Sequence, residues 1–139
     1  MSLHVTAAPS EADRQAVLDG LIALNRAVFG ALDQPPVPLA VLWRDDAGAP
    51  DGGAIGRSWG GWVFIELLHL PDRLRGRGVG RQVMAAIEAE TRARDCMGVY
   101  LDTFSFQARP FYEKLGYTVF GTLEGMPFGY DRFWLAKRF

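Results

Sequence analysis

The apolar run WVFIELLHL (Trp62–Leu70) is followed by DRLRGRGVGRQ, residues 72–82, and then by a helix-like run from Val79. The middle stretch sets Arg73, Arg75, Arg77 and Arg81 among Gly76, Gly78 and Gly80. Glycine at this density is destabilising unless the backbone must turn sharply or approach something closely. Arginine at this density repels itself unless an anion is present. At the start of a helix the first N–H groups lack internal partners and the macrodipole adds positive charge. Glycines there let those N–H groups converge into an anion cradle. The bland alternative is a solvated glycine-rich turn, but strand end, loop and helix start coincide here. The pattern is that of a phosphate site.

Two nucleotide loops do not fit. A P-loop closes on Gly-Lys-Ser/Thr, whereas Gly80 is followed by Arg81-Gln82. The dinucleotide fingerprint needs G-x-G-x-x-G after the first strand of a βαβ unit, and here the spacing is G-x-G-x-G. Other residues stand out beside the loop. Glu66 and His69 interrupt a run that otherwise reads as a central strand covered on both faces. A glutamate buried there would have its pKa raised toward the range useful for a base; the alternative is a structural glutamate bonded to a neighbouring strand or an arginine. His69, Asp102 and Glu124 are weaker candidates for acid–base work or acceptor binding. Cys96, the one cysteine, ends a helical run with no histidine near in sequence, and reads as a small buried thiol. No metal-ligand spacing appears.

The elements that must hold these residues follow from periodicity. Leu3–Ala8 reads as a short first strand. Ser10 with Asp13 makes a helix start, and Val17, Leu21, Leu24 and Val28 recur at helical spacing up to Gly30. Pro35, Pro36 and Pro38 enforce a loop. Leu39–Asp46, Gly53–Trp59 and Trp62–Leu70 are strand-like and separated by hairpin chemistry, so they form an antiparallel meander. From Val79 a helix carries Val83, Met84 and Ile87 inward, with Arg81, Glu88, Arg92 and Arg94 toward water. GVYLDTF (Gly98–Phe104) is a strand, QARPFYEKLG a short helix with Pro110 in its first turn, and YTVFGTLE and YDRFWLAKRF two final strands. The order β-α-β-β-β-α-β-α-β-β specifies one α/β domain, residues 1–139, around a mixed sheet.

Composition excludes some partners. The chain has 139 residues, 49% hydrophobic and 22% charged, with a net charge of −1. No overall basic field exists to hold nucleic acid. No run approaches 18 apolar residues and no cationic start precedes one, so neither a membrane nor a secretory route is expected and the setting reads as cytoplasmic.

Arg75-x-x-Gly78-x-Gly80 resembles the Q/R-x-x-G-x-G/A loop of the GCN5-related N-acetyltransferase (GNAT) superfamily. LLHLPDRLRGRGVGRQVMAAIE is similar to that superfamily's acetyl-CoA-binding strand, loop and helix, and DTFSFQARPFYEKLGYTVFGTLE to the strand and short helix that follow. The likeness is specific over Leu67–Glu124 and only patterned in the N-terminal third.

This resemblance implies a single-domain GNAT-like fold, with a mixed, mostly antiparallel sheet flanked by helices and two central strands splayed near Leu70 and Asp102. It implies main-chain amides of Arg75, Gly76, Arg77, Gly78, Val79, Gly80 and Arg81 on the pyrophosphate of acetyl-CoA, and main chain of Leu68 and Leu70 along the pantetheine. Tyr112 matches the tyrosine that protonates the leaving thiolate. Ser105 stands where an asparagine often contacts the pantetheine. Glu66 is the candidate base acting through water, since family members often carry a carboxylate in this region. The implied activity is direct acetyl transfer from acetyl-CoA to a primary amine of a small molecule. A silent acyl-CoA-binding module, or acetylation of a protein, peptide or nucleic-acid-linked amine, is the alternative. Homodimers are common among relatives.

Overall fold

The computed structural model describes residues Met1–Phe139, which fall into two compact units, Met1–Gln34 and Pro35–Phe139. In the first unit, α1 (Glu11–Phe29) starts on the expected capping box: the Ser10 side chain accepts from the Asp13 N–H, and the Asp13 side chain accepts from the Ser10 N–H. Gly30 ends it. Leu3–Ala8 is not a strand; its alternation of apolar and polar residues finds no neighbouring strand to pair with. The apolar stripe also departs from expectation. Val17, Leu21, Leu24 and Val28 are exposed, and the half-buried positions are Leu18, Ile22 and Asn25. The stretch Glu11–Leu32 has the length and mean hydropathy (1.2) of a membrane-crossing helix, by composition alone.

The second unit carries one six-stranded sheet. Its strands are β1 (Val37–Arg44), β2 (Pro50–Trp59), β3 (Trp62–His69), β4 (Gly98–Phe104), β5 (Thr118–Glu124) and β6 (Asp131–Arg138), in spatial order β1-β2-β3-β4-β6-β5. β1, β2 and β3 form the antiparallel meander. The two-residue turn Gly60-Gly61 takes φ of 62° and 86°, the left-handed pair that a tight hairpin requires. β3 and β4 form the one parallel pair, connected through α2 (Val79–Ala93) as a crossover. The short helix α3 (Arg109–Lys114) admits Pro110 in its first turn, where no N–H bond is lost.

One face of the sheet is the core. Val63 and Ile65 of β3, Val99 and Leu101 of β4 and Leu135 of β6 are buried there with Val79, Val83, Met84 and Ile87 of α2 and Tyr112 and Tyr117. By strand alternation Phe64, Tyr100, Asp102 and Trp134 point to the opposite face and are half-buried. That face holds an open aromatic trough of about 350 Å³ lined by Trp62, Tyr100, Phe120 and Ala136. Two α2 residues expected in water are not there. Glu88 pairs with Lys137 of β6 at 2.5 Å, its side chain only 12% exposed. Arg94 donates to the Val37 and Pro38 carbonyls, to Ser58 Oγ and to Glu90, tying the end of α2 to β1 and β2.

Candidate active site

β3 and β4 are paired only from Trp62↔Gly98 to Ile65↔Leu101. Both strands continue, β3 to His69 and β4 to Phe104, so beyond those four residue pairs they part. Past Ile65 the β4-facing edge of β3 has no strand partner, while its other edge stays bonded to β2 through Ala54↔Leu68 and Gly53↔His69. The result is a fork in the middle of the sheet, with an unpaired main-chain edge that includes Leu68 and runs toward the half-buried Leu70.

The glycine loop lies between the end of β3 and α2. Gly76 and Gly78 have φ of 73° and 75°, and a Cβ added at either would meet nothing within 4 Å. Gly78 is the N-cap of α2 with no side-chain cap, so the first amides of the helix are left unbonded. Val79, the first helical residue, anchors this turn in the core. Two of the four arginines are used internally: Arg73 bonds Asp51, and Arg75 lies 3.2 Å from Asp72. Arg77 and Arg81 are exposed and have no carboxylate partner. Open space, unbonded amides and two unpaired cations suit a pyrophosphate.

Tyr112 is on α3, 6% exposed, with its ring edge-on to Phe111 and Tyr117 at 5.2 and 6.1 Å. Burial, and secondarily the negative charge of Asp102, push its pKa up to about 12. It is therefore a neutral hydrogen-bond donor at any working pH. Tyr117 is raised too, by burial first and then by Glu88, and its buried hydroxyl makes no well-formed hydrogen bond.

Glu66 is not the buried carboxylate expected from its apolar surroundings. It is the extra residue of a β-bulge, opposite no residue of β2, and its side chain is 57% exposed beside Arg57 at 3.7 Å. Strand alternation sets Glu66 on the open face with Phe64, away from the core face of Val63 and Ile65, and there Arg57, which also lies over the Phe64 ring, stands beside it. Asp102 is the more enclosed of the two, its side chain 16% exposed and bonded to Arg132. Glu66 and Asp102 are the residues that immediately follow the last paired couple, Ile65 and Leu101. They flank the fork. Sequence reading singled out both residues but not this relation, which depends on the β3–β4 register.

Ser105 Oγ accepts from the Asp131 N–H at 3.0 Å, and its own N–H bonds the Asp131 carbonyl, so it fastens the end of β4 to β6. His69 and Glu124 are exposed at strand ends. Cys96 is half-buried, its thiol pKa raised chiefly by burial.

The chain is similar to known proteins along nearly its whole length. The family model described as Acetyltransferase (GNAT) family matches residues 8–117. An acetyltransferase of Agrobacterium fabrum is 37% identical over 132 residues, 95% of this chain and 94% of its own length. A blasticidin-S acetyltransferase of Streptomyces morookaense is 34% identical over 89 residues, 62% of this chain and 64% of its own. The crystal structure of an acetyltransferase from Agrobacterium tumefaciens superposes with a TM-score of 0.91 at 34% identity, covering 100% of both chains. With the fork in the sheet, the glycine loop at the start of α2 and the buried tyrosine on α3, and relatives matched over nearly the whole length, the chain belongs to the acetyltransferase (GNAT) family and is an acetyl-transferring enzyme.

Proposed function

We propose that this enzyme transfers the acetyl group of acetyl-CoA directly to a primary amine of a small molecule. The observation that carries the reading is the fork between β3 and β4, with an unpaired main-chain edge on one side and the open glycine loop nearby. The main chain of Leu68 and Leu70 would bond the pantetheine as an added strand. The amides of Arg75–Arg81, with the Arg77 and Arg81 side chains, would hold the pyrophosphate. Ser105 already accepts one bond, which leaves its hydroxyl hydrogen and its second lone pair for the pantetheine.

Acetyl-CoA supplies an acyl group already activated as a thioester. Glu66, exposed at the fork, would take through water the proton that an ammonium must lose before its nitrogen can attack. Tyr112 would donate to the sulfur as the carbon–sulfur bond breaks. With a pKa of about 12 the phenol is a weaker acid than a thiol near 8.5, so its part is to stabilise the thiolate by a hydrogen bond as much as to hand over its proton. Cys96, half-buried with a raised pKa, is a poor nucleophile, which favours transfer without an acyl-enzyme.

A small-molecule acceptor is compatible with the relative named for blasticidin S. A cytoplasmic setting belongs to the same proposal. Thiol release from acetyl-CoA, measured with spermidine, tryptamine, lysine, blasticidin S and peptide N-termini, tests it. Turnover with a small amine is expected. Acetyl-CoA binding without any turnover would make the protein a silent binding module, and turnover confined to peptides would move the acceptor class.

A further inference from the structure

The two carboxylates that flank the fork are built differently. Glu66 is loosely paired, whereas Asp102 is locked. Arg132 donates to it through Nε at 3.0 Å, with Nη2 in ion-pair contact at 2.9 Å, and both contacts end on Oδ1. These contacts leave Oδ2 outside the pair. Arg132 is itself fixed by two rings, with Phe104 at 5.5 Å and Trp134 at 4.9 Å from its guanidinium carbon. Asp102 faces Trp134 across the β4–β6 pair, and Phe104 faces Arg132, so four neighbouring positions of one sheet face make a closed unit. An arginine clamped in this way fixes the orientation of the carboxylate.

Resting on the small-amine reading above, we propose that Asp102 is the anchor for the acceptor's ammonium group, with Oδ2 as the contacting atom and Arg132 as the positioning residue. The acceptor class is then a cationic primary amine, and a neutral nucleophile should be bound without help from this residue. The placement is suited to the task. Asp102 is the first β4 residue past the last β3–β4 pair, so its carboxylate marks one lip of the fork into which the thioester carbonyl must come. Its charge is also felt by the Tyr112 phenol, which puts the two groups in electrostatic reach of each other. A purely structural ion pair would need no position at the fork.

The test is a comparison of Michaelis constants. Asp102→Asn should raise KM for the best cationic amine of the panel by roughly 10–100-fold, the loss of one charge-assisted hydrogen bond. Calorimetric affinity for acetyl-CoA should stay within about threefold on the same reasoning. Because Asp102→Asn leaves Arg132 unpaired, a change that can unfold a protein, the double variant Asp102→Asn/Arg132→Gln removes both charges and should give the same rise in KM. Benzhydrazide, a nucleophile neutral at pH 7, supplies the control: its KM should not distinguish wild type from either variant. Wild-type turnover of a cationic amine with KM unmoved in the variants overturns the anchor alone. A wild-type protein that binds acetyl-CoA but acetylates none of the panel's cationic amines overturns the small-amine reading and the anchor together.

Discussion

Gly80, in the first turn of α2, lies against Phe111 of α3: a methyl group built on Gly80 would sit 3.1 Å from Phe111 Cζ and 3.6 Å from Leu70 Cδ1. The glycine loop and the helix that carries Tyr112 are thus in direct contact. Phe111 can yield by a few tenths of an ångström but not by the width of a branched side chain. Gly80→Ala should therefore retain most activity, while Gly80→Val should displace Phe111, and with it Tyr112, and reduce kcat by at least about tenfold. Equal activity of the two variants, measured by thiol release, would show that the contact transmits nothing.

Gly78 tests the anion cradle itself. Gly78→Glu places a carboxylate where a pyrophosphate would approach, and the site has room for the side chain. Its φ of 75° adds strain, about 1–2 kcal/mol for a residue with a Cβ. The expected result is loss of calorimetric CoA binding in a protein that still unfolds cooperatively. Gly78→Asn, which tolerates the left-handed region and adds no charge, should bind CoA far better than Gly78→Glu. Equal affinities would remove the loop from the cofactor site.

Tyr112→Phe removes the phenol and keeps the ring packed on Phe111 and Tyr117. The loss should appear in kcat, by roughly 10²–10⁴, with little change in KM for acetyl-CoA. Stability gives a second readout. A phenol raised from 10 to about 12 on folding favours the native state fully below pH 10, and that advantage is lost as pH rises through 12. The difference is worth roughly 2–3 kcal/mol. The variant should accordingly lose less stability than wild type between pH 10 and 12 in urea titrations; parallel curves would mean that Tyr112 ionises as freely folded as unfolded.

Glu66→Gln should leave CoA binding intact and flatten the acidic limb of the kcat/KM profile if the glutamate carries the amine's proton through water. A profile of unchanged shape would leave Glu66 as the bulge residue beside Arg57 and nothing more.

Arg94 is a structural prediction. Its guanidinium bonds Glu90, Ser58 and two β1 carbonyls from the last turn of α2. Arg94→Ala leaves those carbonyls without that donor and should lower unfolding free energy by about 2–3 kcal/mol, with the denaturant midpoint shifted and the slope unchanged. A loss below about 0.5 kcal/mol, the surface-substitution range, would show that water replaces the clasp.

Arg94 also shows where sequence reading stops. Its position in the periodic pattern of α2 assigns it to solvent, because a helical wheel records the helix and not the strands beside it. Gly98–Phe104, the Gly60-Gly61 turn and the start of α2 at Val79 were legible because each depends on local chemistry: a bounded apolar run, two left-handed residues, a glycine N-cap. Glu66 was noticed for the right oddity and given the wrong environment: the apolar run suggests cover on both faces, but the face that Glu66 shares with Phe64 is open. The Asp102–Arg132 clamp joins residues on β4 and β6, and no local pattern announces such a pair. Leu3–Ala8 had strand composition and no strand to meet.

The short β3–β4 seam has a mechanical meaning. On one side of it stand β1, β2 and β3, each antiparallel to its neighbour, and on the other β4, β6 and β5, likewise antiparallel. Only the residue pairs from Trp62↔Gly98 to Ile65↔Leu101 stitch these two half-sheets together within the sheet plane. Long ladders resist bending on both sides, so the seam is where the sheet has least in-plane support. A chain laid along the free edge of β3 lengthens the stitching. Bound as proposed above, the acyl donor would supply the missing rungs of that ladder and stiffen the sheet for as long as it is held.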